Sequence, residues 1–134
     1  MMNQQLTTSP CIFVVESDDD VRPVLKYNLQ NWGYEIIMSL DEEDAMQRIQ
    51  GGCEPFNLIL LNQSAKSIEQ LIVFGRQIRQ SIELDSRTPI IIMAEEYGED
   101  MEGQNIQVGD NEYVTYLEDG QQLKNILYQL CPVY

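Results

Sequence analysis

The chain has no histidine, and only 8 lysine and arginine side chains stand against 22 aspartates and glutamates, a formal net charge of −14 over 134 residues. Neutralising phosphates takes a face of Lys and Arg, which so acidic a composition does not supply, so nucleic acid is excluded as a partner of this domain. An anionic membrane surface is disfavoured on the same ground. A basic patch on a partner protein would be attracted, although solubility is the commoner meaning of such a charge. Without histidine the usual zinc combinations are lost, and Cys11, Cys53 and Cys131 are odd in number with no C-x-x-C spacing. They read as reduced packing residues of a cytosolic protein. Nowhere is there a run of about 18 apolar residues, and the N-terminus carries neither a basic n-region nor an apolar h-region, so a secreted or membrane-spanning chain is not expected. What is present is one domain's worth of chain, enough to bury roughly two-thirds of its unfolded surface. It is expected to be residues 11–132, behind a tail at 1–10.

Short apolar runs alternate with helical periodicity. Cys11-Ile12-Phe13-Val14-Val15 is β-branched, bounded by Pro10 and by acids, and reads as a strand buried on both faces. Val21, Val24, Leu25, Tyr27, Leu29 and Trp32 recur at three- and four-residue spacing up to Gly33, predicting an amphipathic helix with a glycine stop. Pro23 fits only its first turn, where no intrahelical N–H bond is required. Residues 34–38 predict a second strand, 41–50 a helix burying Ala45, Met46 and Ile49 and stopping at Gly51-Gly52, and 56–61 a third strand. Ile68, Leu71, Ile72, Gly75, Ile78 and Ile82 mark a longer helix, and 89–93 a fourth strand. From 94 to 108, Gly98, Gly103 and the acids Glu95, Glu96, Glu99, Asp100 and Glu102 leave little to bury, so any helix there is expected to be short and mobile. Residues 112–116 predict a fifth strand, and Leu123, Ile126, Leu127 and Leu130 a last helix capped by Asp119.

The pattern is (βα)5, which calls for an α/β fold with a parallel sheet, right-handed crossovers and helices on both faces. In such sheets a site lies beyond the C-terminal strand ends, at the switch point of strand order. That places Glu16-Ser17-Asp18, Asn62-Gln63-Ser64, Ala94 and Tyr116-Leu117 together.

Four segments, in this order, resemble the receiver domains of bacterial two-component response regulators: Ile12-Phe13-Val14-Val15-Glu16-Ser17-Asp18-Asp19-Asp20-Val21-Arg22, Leu58-Ile59-Leu60-Leu61-Asn62, Pro89-Ile90-Ile91-Ile92-Met93 and Gly109-Asp110-Asn111-Glu112-Tyr113-Val114-Thr115. The resemblance runs from about Cys11 to Leu130. It implies the flavodoxin-like receiver fold, a five-stranded parallel sheet in the order 2-1-3-4-5. It also implies what the strand ends do in the family. An aspartate ending the third strand takes up a phosphoryl group, with Mg²⁺ held by that aspartate, an acid after the first strand and a backbone carbonyl. A hydroxyl residue after the fourth strand reads the phosphoryl group, and a lysine after the fifth neutralises it.

This chain departs at each of those positions. Asn62 stands for the phosphate acceptor, and an amide has neither an available nitrogen lone pair nor a full negative charge on oxygen with which to attack phosphorus. The acidic pair is matched by Glu16-Ser17, which halves the negative charge offered to Mg²⁺, while Asp18 is expected to cap or begin the first helix. Ala94 replaces the hydroxyl sensor. Tyr116 replaces the lysine and Leu117 the proline after it, and a neutral phenol does not do the work of an ammonium. The resemblance therefore implies a pseudo-receiver whose degenerate phosphorylation pocket is Glu16, Ser17, Asp18, Asn62, Ala94 and Tyr116, with no catalytic residue, no metal site and no cofactor.

Tyr113 matches the family's switch aromatic, and with Ala94 leaving space beneath it the ring is expected to sit inward. The plainer reading is a tyrosine half-packed on an edge strand. Lys66 is expected either to reach Glu16 or Asp18 as a replacement cation or to remain a solvated loop lysine. In the family the fourth helix, fifth strand and fifth helix form the docking surface. Tyr97, Tyr116, Leu117 and Tyr128 are candidate anchors there, and a homodimer through that face is a further expectation.

The leading functional reading is a stand-alone, phosphorylation-independent protein-interaction module in a two-component or related signalling pathway. It would be cytoplasmic and not an enzyme, with a signalling kinase, regulator or output protein as partner. A second reading replaces the phosphate signal with a small ligand or a redox change at Cys11, Cys53 or Cys131, although nothing in the cysteine context lowers a thiol pKa. A third lets Glu16, Asp18 or Asp19 accept phosphate, without the electrostatic stabilisation that phosphoryl transfer requires.

Overall fold

The computed structural model describes residues 9–82 and 87–133, so the expected tail at 1–10 lies outside the described residues apart from its last two. Three strands form the centre of the sheet: β1 (Cys11–Val15), β3 (Leu58–Asn62) and β4 (Ile90–Met93). Their side chains are almost all buried, because helices cover both faces and an uninterrupted apolar run leaves no face for water. The flanking strands are β2 (Glu35–Ser39), β5 (Asn105–Gln107) and β6 (Glu112–Thr115), and the helices are α1 (Val21–Asn31), α2 (Glu42–Gln50), α3 (Ile68–Ser81) and α4 (Gly120–Leu130).

Local sequence explains where the helices begin. The Asp41 carboxylate accepts from the Asp44 N–H at the start of α2, and Asp119 accepts from Gln122 at the start of α4, as expected for a cap. Ser67 and Gln70 close a reciprocal capping box on α3. At α1 the duty falls to Asp18, whose carboxylate accepts from the N–H groups of Asp20 at 2.8 Å and Val21 at 3.2 Å. The chain leaves α1 through Gly33, whose φ of +105° is open to glycine at little cost.

The sheet order is β2-β1-β3-β4-β6-β5. Its first five strands are parallel and follow the order 2-1-3-4-5 anticipated from the sequence, with β6 as the fifth. The sixth strand is a correction. No helix joins β4 to β6 among the described residues; the chain turns at 98–104 and runs back as β5, antiparallel to β6, with Ile106 opposite Val114. A parallel pair needs its connection to return to the starting end of the sheet, and an antiparallel edge strand makes that return as a helix would. Residues 94–108 hold too few apolar side chains to pay for a helix packed on the sheet.

Polar side chains hold β5 in place. Thr115 Oγ1 donates to Asn105 Oδ1 at 2.6 Å, and Gln122 Nε2 reaches Asn105 Oδ1 at 2.9 Å and Thr115 Oγ1 at 3.2 Å. Gln122 and Thr115 are both buried, so α4, β6 and β5 share one satisfied polar cluster.

One core, under α1 and α4, packs Leu25, Leu29, Ile126 and Leu127 on Ile12, Val14, Leu60 and Ile91. The other, under α2 and α3, packs Ala45, Leu71, Phe74 and Ile78 on Phe13, Ile59, Leu61 and Ile92. Each fully buried Leu or Ile is worth roughly 1.5–3 kcal/mol. The α3 contact is close because Gly75 has no side chain: a Cβ there would lie 2.8 Å from Ile90 Cδ1. Glu112, buried at the start of β6, accepts from Arg76 and Arg79 of α3 at 2.6 Å each.

The first helix differs from its expected packing. Its buried residues are Leu25 and Leu29, whereas Val21, Val24 and Tyr27 are 39%, 60% and 68% exposed. At 100° per residue Tyr27 projects about 160° from Leu25, so three- and four-residue spacing here mixes two apolar faces.

Candidate functional site

Glu16 follows β1 and is buried, with 1% of its surface exposed. Its Oε1 accepts from Asn62 Nδ2 at 2.7 Å and its Oε2 from the Asp18 backbone N–H at 3.2 Å. The Asn62 Oδ1 faces the other way and accepts from the Ser64 N–H at 3.0 Å. These neighbours fix the amide's orientation, since turning it over would set its oxygen against a carboxylate and its NH₂ against an N–H. Arg22 Nη1 donates to the Glu16 carbonyl at 2.9 Å, and Arg22 also pairs with Asp19. Burial pushes the Glu16 carboxyl above its ordinary value, against the opposing pull of the Asp18 and Asn62 hydrogen bonds, with the Glu95 and Asp18 charges adding to the rise.

Beside this pair the hydroxyls of Ser17 and Ser64 lie 3.2 Å apart. Ser64 has φ of +54°, a left-handed conformation uncommon outside glycine. Ala94 follows β4 and donates its N–H to the Thr115 carbonyl, which sets it beside Tyr116. Glu16, Ser17, Asn62 and Ser64 are thus directly linked, and Asp18 joins them through its backbone. Its carboxylate is turned to the α1 N-terminus.

The donors present do not fit Mg²⁺. Octahedral binding wants two or more free carboxylate or carbonyl oxygens around the ion. Here both oxygens of the one buried carboxylate are engaged, Asn62 offers an amide, and Ser17 a hydroxyl. Among the described residues no group of three Asp, Glu, Cys or His side chains is placed to hold a metal ion.

Lys66 reaches neither Glu16 nor Asp18. It lies 3.5 Å from Glu42 Oε2 at the start of α2, where a closer acid than those of the pocket meets it. Tyr113 is half-buried on the face of α1 and α4, and Ala94 packs on the opposite face. Strand parity explains this: Met93 pairs with Thr115, Tyr113 shares that face two residues earlier, and Ala94 points the other way. Tyr116, which follows β6, packs on the same core as Ala94.

Of the candidate anchors, three come together. Tyr97 donates its hydroxyl to the Leu117 carbonyl, and its ring meets that of Tyr116 edge-on at 5.4 Å. Tyr128 lies eight residues along α4 from Gly120, about 12 Å toward the other end of the sheet, where its hydroxyl donates to the Trp32 carbonyl at 2.9 Å. The expected docking surface is also altered, since the connection before β6 is a strand instead of a helix. The exposed faces that spacing alone did not separate are those of Pro23, Val24 and Tyr27; their signal was a helix with more apolar positions than one buried stripe uses.

All three thiols are held above their ordinary pKa by burial first; Cys11, with Glu35 and Glu54 adding to the effect, is pushed up to about 11. No helix among the described residues is long and apolar enough to cross a membrane.

No family model matches the chain. Among solved structures it is similar to the chemotaxis protein CheY4 of Vibrio cholerae, at 18% identity over 92% of this chain and 99% of that one, with a TM-score of 0.64. It is similar to the response regulator TrrA of Thermotoga maritima, at 23% identity over 90% of this chain and 98% of that one, with a TM-score of 0.61. The receiver domain of the hybrid histidine kinase CckA matches at 18% identity over 90% and 97%, with a TM-score of 0.60. A chain in the complex of the histidine kinase ThkA with TrrA also matches, at 20% identity over 91% and 98% and a TM-score of 0.64. The chain has the receiver fold.

Proposed function

We propose that this domain is a pseudo-receiver: a non-enzymatic module of a two-component or related signalling pathway that docks on a protein partner without being phosphorylated. The observation that carries the reading is the Asn62 to Glu16 hydrogen bond. It joins the two positions where the family places acceptor and metal acid, and it satisfies the buried carboxylate with a neutral amide. Ala94 and Tyr116 beside it supply neither the hydroxyl nor the ammonium that the family uses.

Docking is proposed through α1. Pro23, Val24 and Tyr27 form an exposed apolar strip next to the acids Asp19 and Asp20, which suits an amphipathic helix with a basic end. A histidine kinase as the partner is favoured by the similar complex in which the histidine kinase ThkA binds the response regulator TrrA. The redox alternative is disfavoured, because raised thiol pKa values leave little thiolate to react.

The test has two arms. Incubation with acetyl phosphate and Mg²⁺ followed by intact-mass measurement should show no added phosphoryl group, and a stoichiometric gain in mass would overturn the pseudo-receiver reading. A partner recovered by pull-down and identified by mass should bind equally with and without acetyl phosphate and be lost with Val24→Asp. Retention by that variant would remove α1 from the interface.

A further inference from the structure

A cavity of about 140 Å³ opens on the α2 side of Asn62, apart from the Glu16 hydrogen bond. Its inner wall is aliphatic, from Val15, Leu61 and Leu71, all buried. Its outer rim carries the hydroxyls of Ser17 and Ser64, the carboxylate of Asp41 and the loosely paired charges of Lys66 and Glu42. At 3.5 Å that ion pair is longer than a good hydrogen bond, and both side chains are partly exposed, so each is open to a better partner. The left-handed Ser64 directs the loop that forms the rim. Next to the wall, Ser39 pairs with Val15 on the same face of the sheet, and its hydroxyl is fully buried with no hydrogen-bond partner.

We propose that this cavity binds a short aliphatic α-amino acid in its zwitterionic form. The ligand's side chain would fill the Val15, Leu61 and Leu71 end, its carboxylate would meet the Lys66 ammonium and the serine hydroxyls, and its ammonium would meet Glu42. The rim offers both signs, Lys66 against Glu42 and Asp41, so a zwitterion finds a partner for each of its charges, whereas a simple acid or a simple amine finds a partner for only one. A cavity of about 140 Å³ is of the size that takes one benzene-sized molecule, which limits the ligand to the smaller aliphatic side chains. So small a molecule is expected to bind with a Kd on the order of 1 mM.

The test is a titration of the full chain with L-valine, isobutyrate and isobutylamine, followed by the backbone amide resonances of Ser17, Asn62, Ser64 and Glu42. L-valine should shift them saturably, and the acid and the amine should bind about tenfold more weakly or worse. Lys66→Gln, a substitution at an exposed position that leaves the core untouched, should weaken valine binding by about tenfold as well. The proposal is overturned by any of three results: no saturable shift with valine, equal responses to valine and to either half-molecule, or unchanged valine affinity in Lys66→Gln.

Discussion

Asn62 donates its side-chain amide to the carboxylate of Glu16 at 2.7 Å, so the end of β3 is tied to the end of β1 by a bond that needs no cation. The arrangement leaves a buried acid in contact with a neutral group, which gives it a definite pH signature.

Burial raises the Glu16 pKa above 4.5, the hydrogen bonds from Asp18 and Asn62 opposing the rise. Between 4.5 and the raised value the folded protein holds a proton that the unfolded chain has released, so this residue's contribution to stability is full below that window and falls as pH climbs through it. Glu16→Gln removes the titration. Urea unfolding across mildly acidic to neutral pH should show the wild type losing stability relative to Glu16→Gln as pH rises; parallel curves would contradict the assignment.

Glu112 behaves in the opposite sense. Burial alone would raise its pKa, but the guanidinium groups of Arg76 and Arg79 outweigh it and hold the carboxyl below 4.5. Its contribution is present above that value and is lost as pH falls through the lowered one. Arg79 is 6% exposed, so Arg79→Ala takes one of two charged partners from a buried carboxylate that keeps Arg76, and should cost about 1.5–3 kcal/mol in urea unfolding at neutral pH. Arg76, whose side chain is half exposed, should cost less when replaced by alanine.

Gln122→Ala tests what holds the edge strand. Losing the bonds to Asn105 and Thr115 should leave the sheet of five parallel strands intact while the Ile106 and Val108 amides exchange with solvent about tenfold faster or more. Unchanged protection there would show that backbone pairing alone secures β5.

Gly75→Ala should destabilise in spite of better helix propensity. The added methyl would sit 2.8 Å from Ile90 Cδ1 and 3.0 Å from its Cγ2, and Ile90 is fully buried. Overpacking of this kind costs about 1–3 kcal/mol against a propensity gain of about 1 kcal/mol. Thermal unfolding should give a lower Tm, and a raised Tm would mean that α3 shifts freely on β4.

The legible parts of this molecule are those governed by local pattern. Unbroken runs at Ile12–Val15 and Ile90–Met93 have one way to be buried, and Asp119 caps α4 with a side chain that acts within three residues. The strand expected from Phe56 begins at Leu58, after Asn57, whose side-chain Oδ1 accepts from the Cys11 N–H where a strand partner's backbone carbonyl would. At β5 a single apolar residue, Ile106, gives no periodicity to read, and the strand is held by Gln122, seventeen residues after the Asn105 it bonds. The site shows the same division. Its residues were assembled from strand ends, but the choice of Glu42 over Glu16 as the partner of Lys66 depends on where α2 begins in space.

The edge strand also bears on how the chain finds its fold. Ile90 pairs with Glu112 twenty-two positions on, whereas Gln107 meets Tyr113 after only six, so the hairpin closes a far shorter loop than the neighbouring parallel pair. Local closures come first when chain entropy sets the rate, and the hairpin with the helix that follows it forms a contiguous segment able to organise itself before docking on β4. Swapping a crossover helix for a returning strand thus gives residues 105–130 a short-range closure of their own.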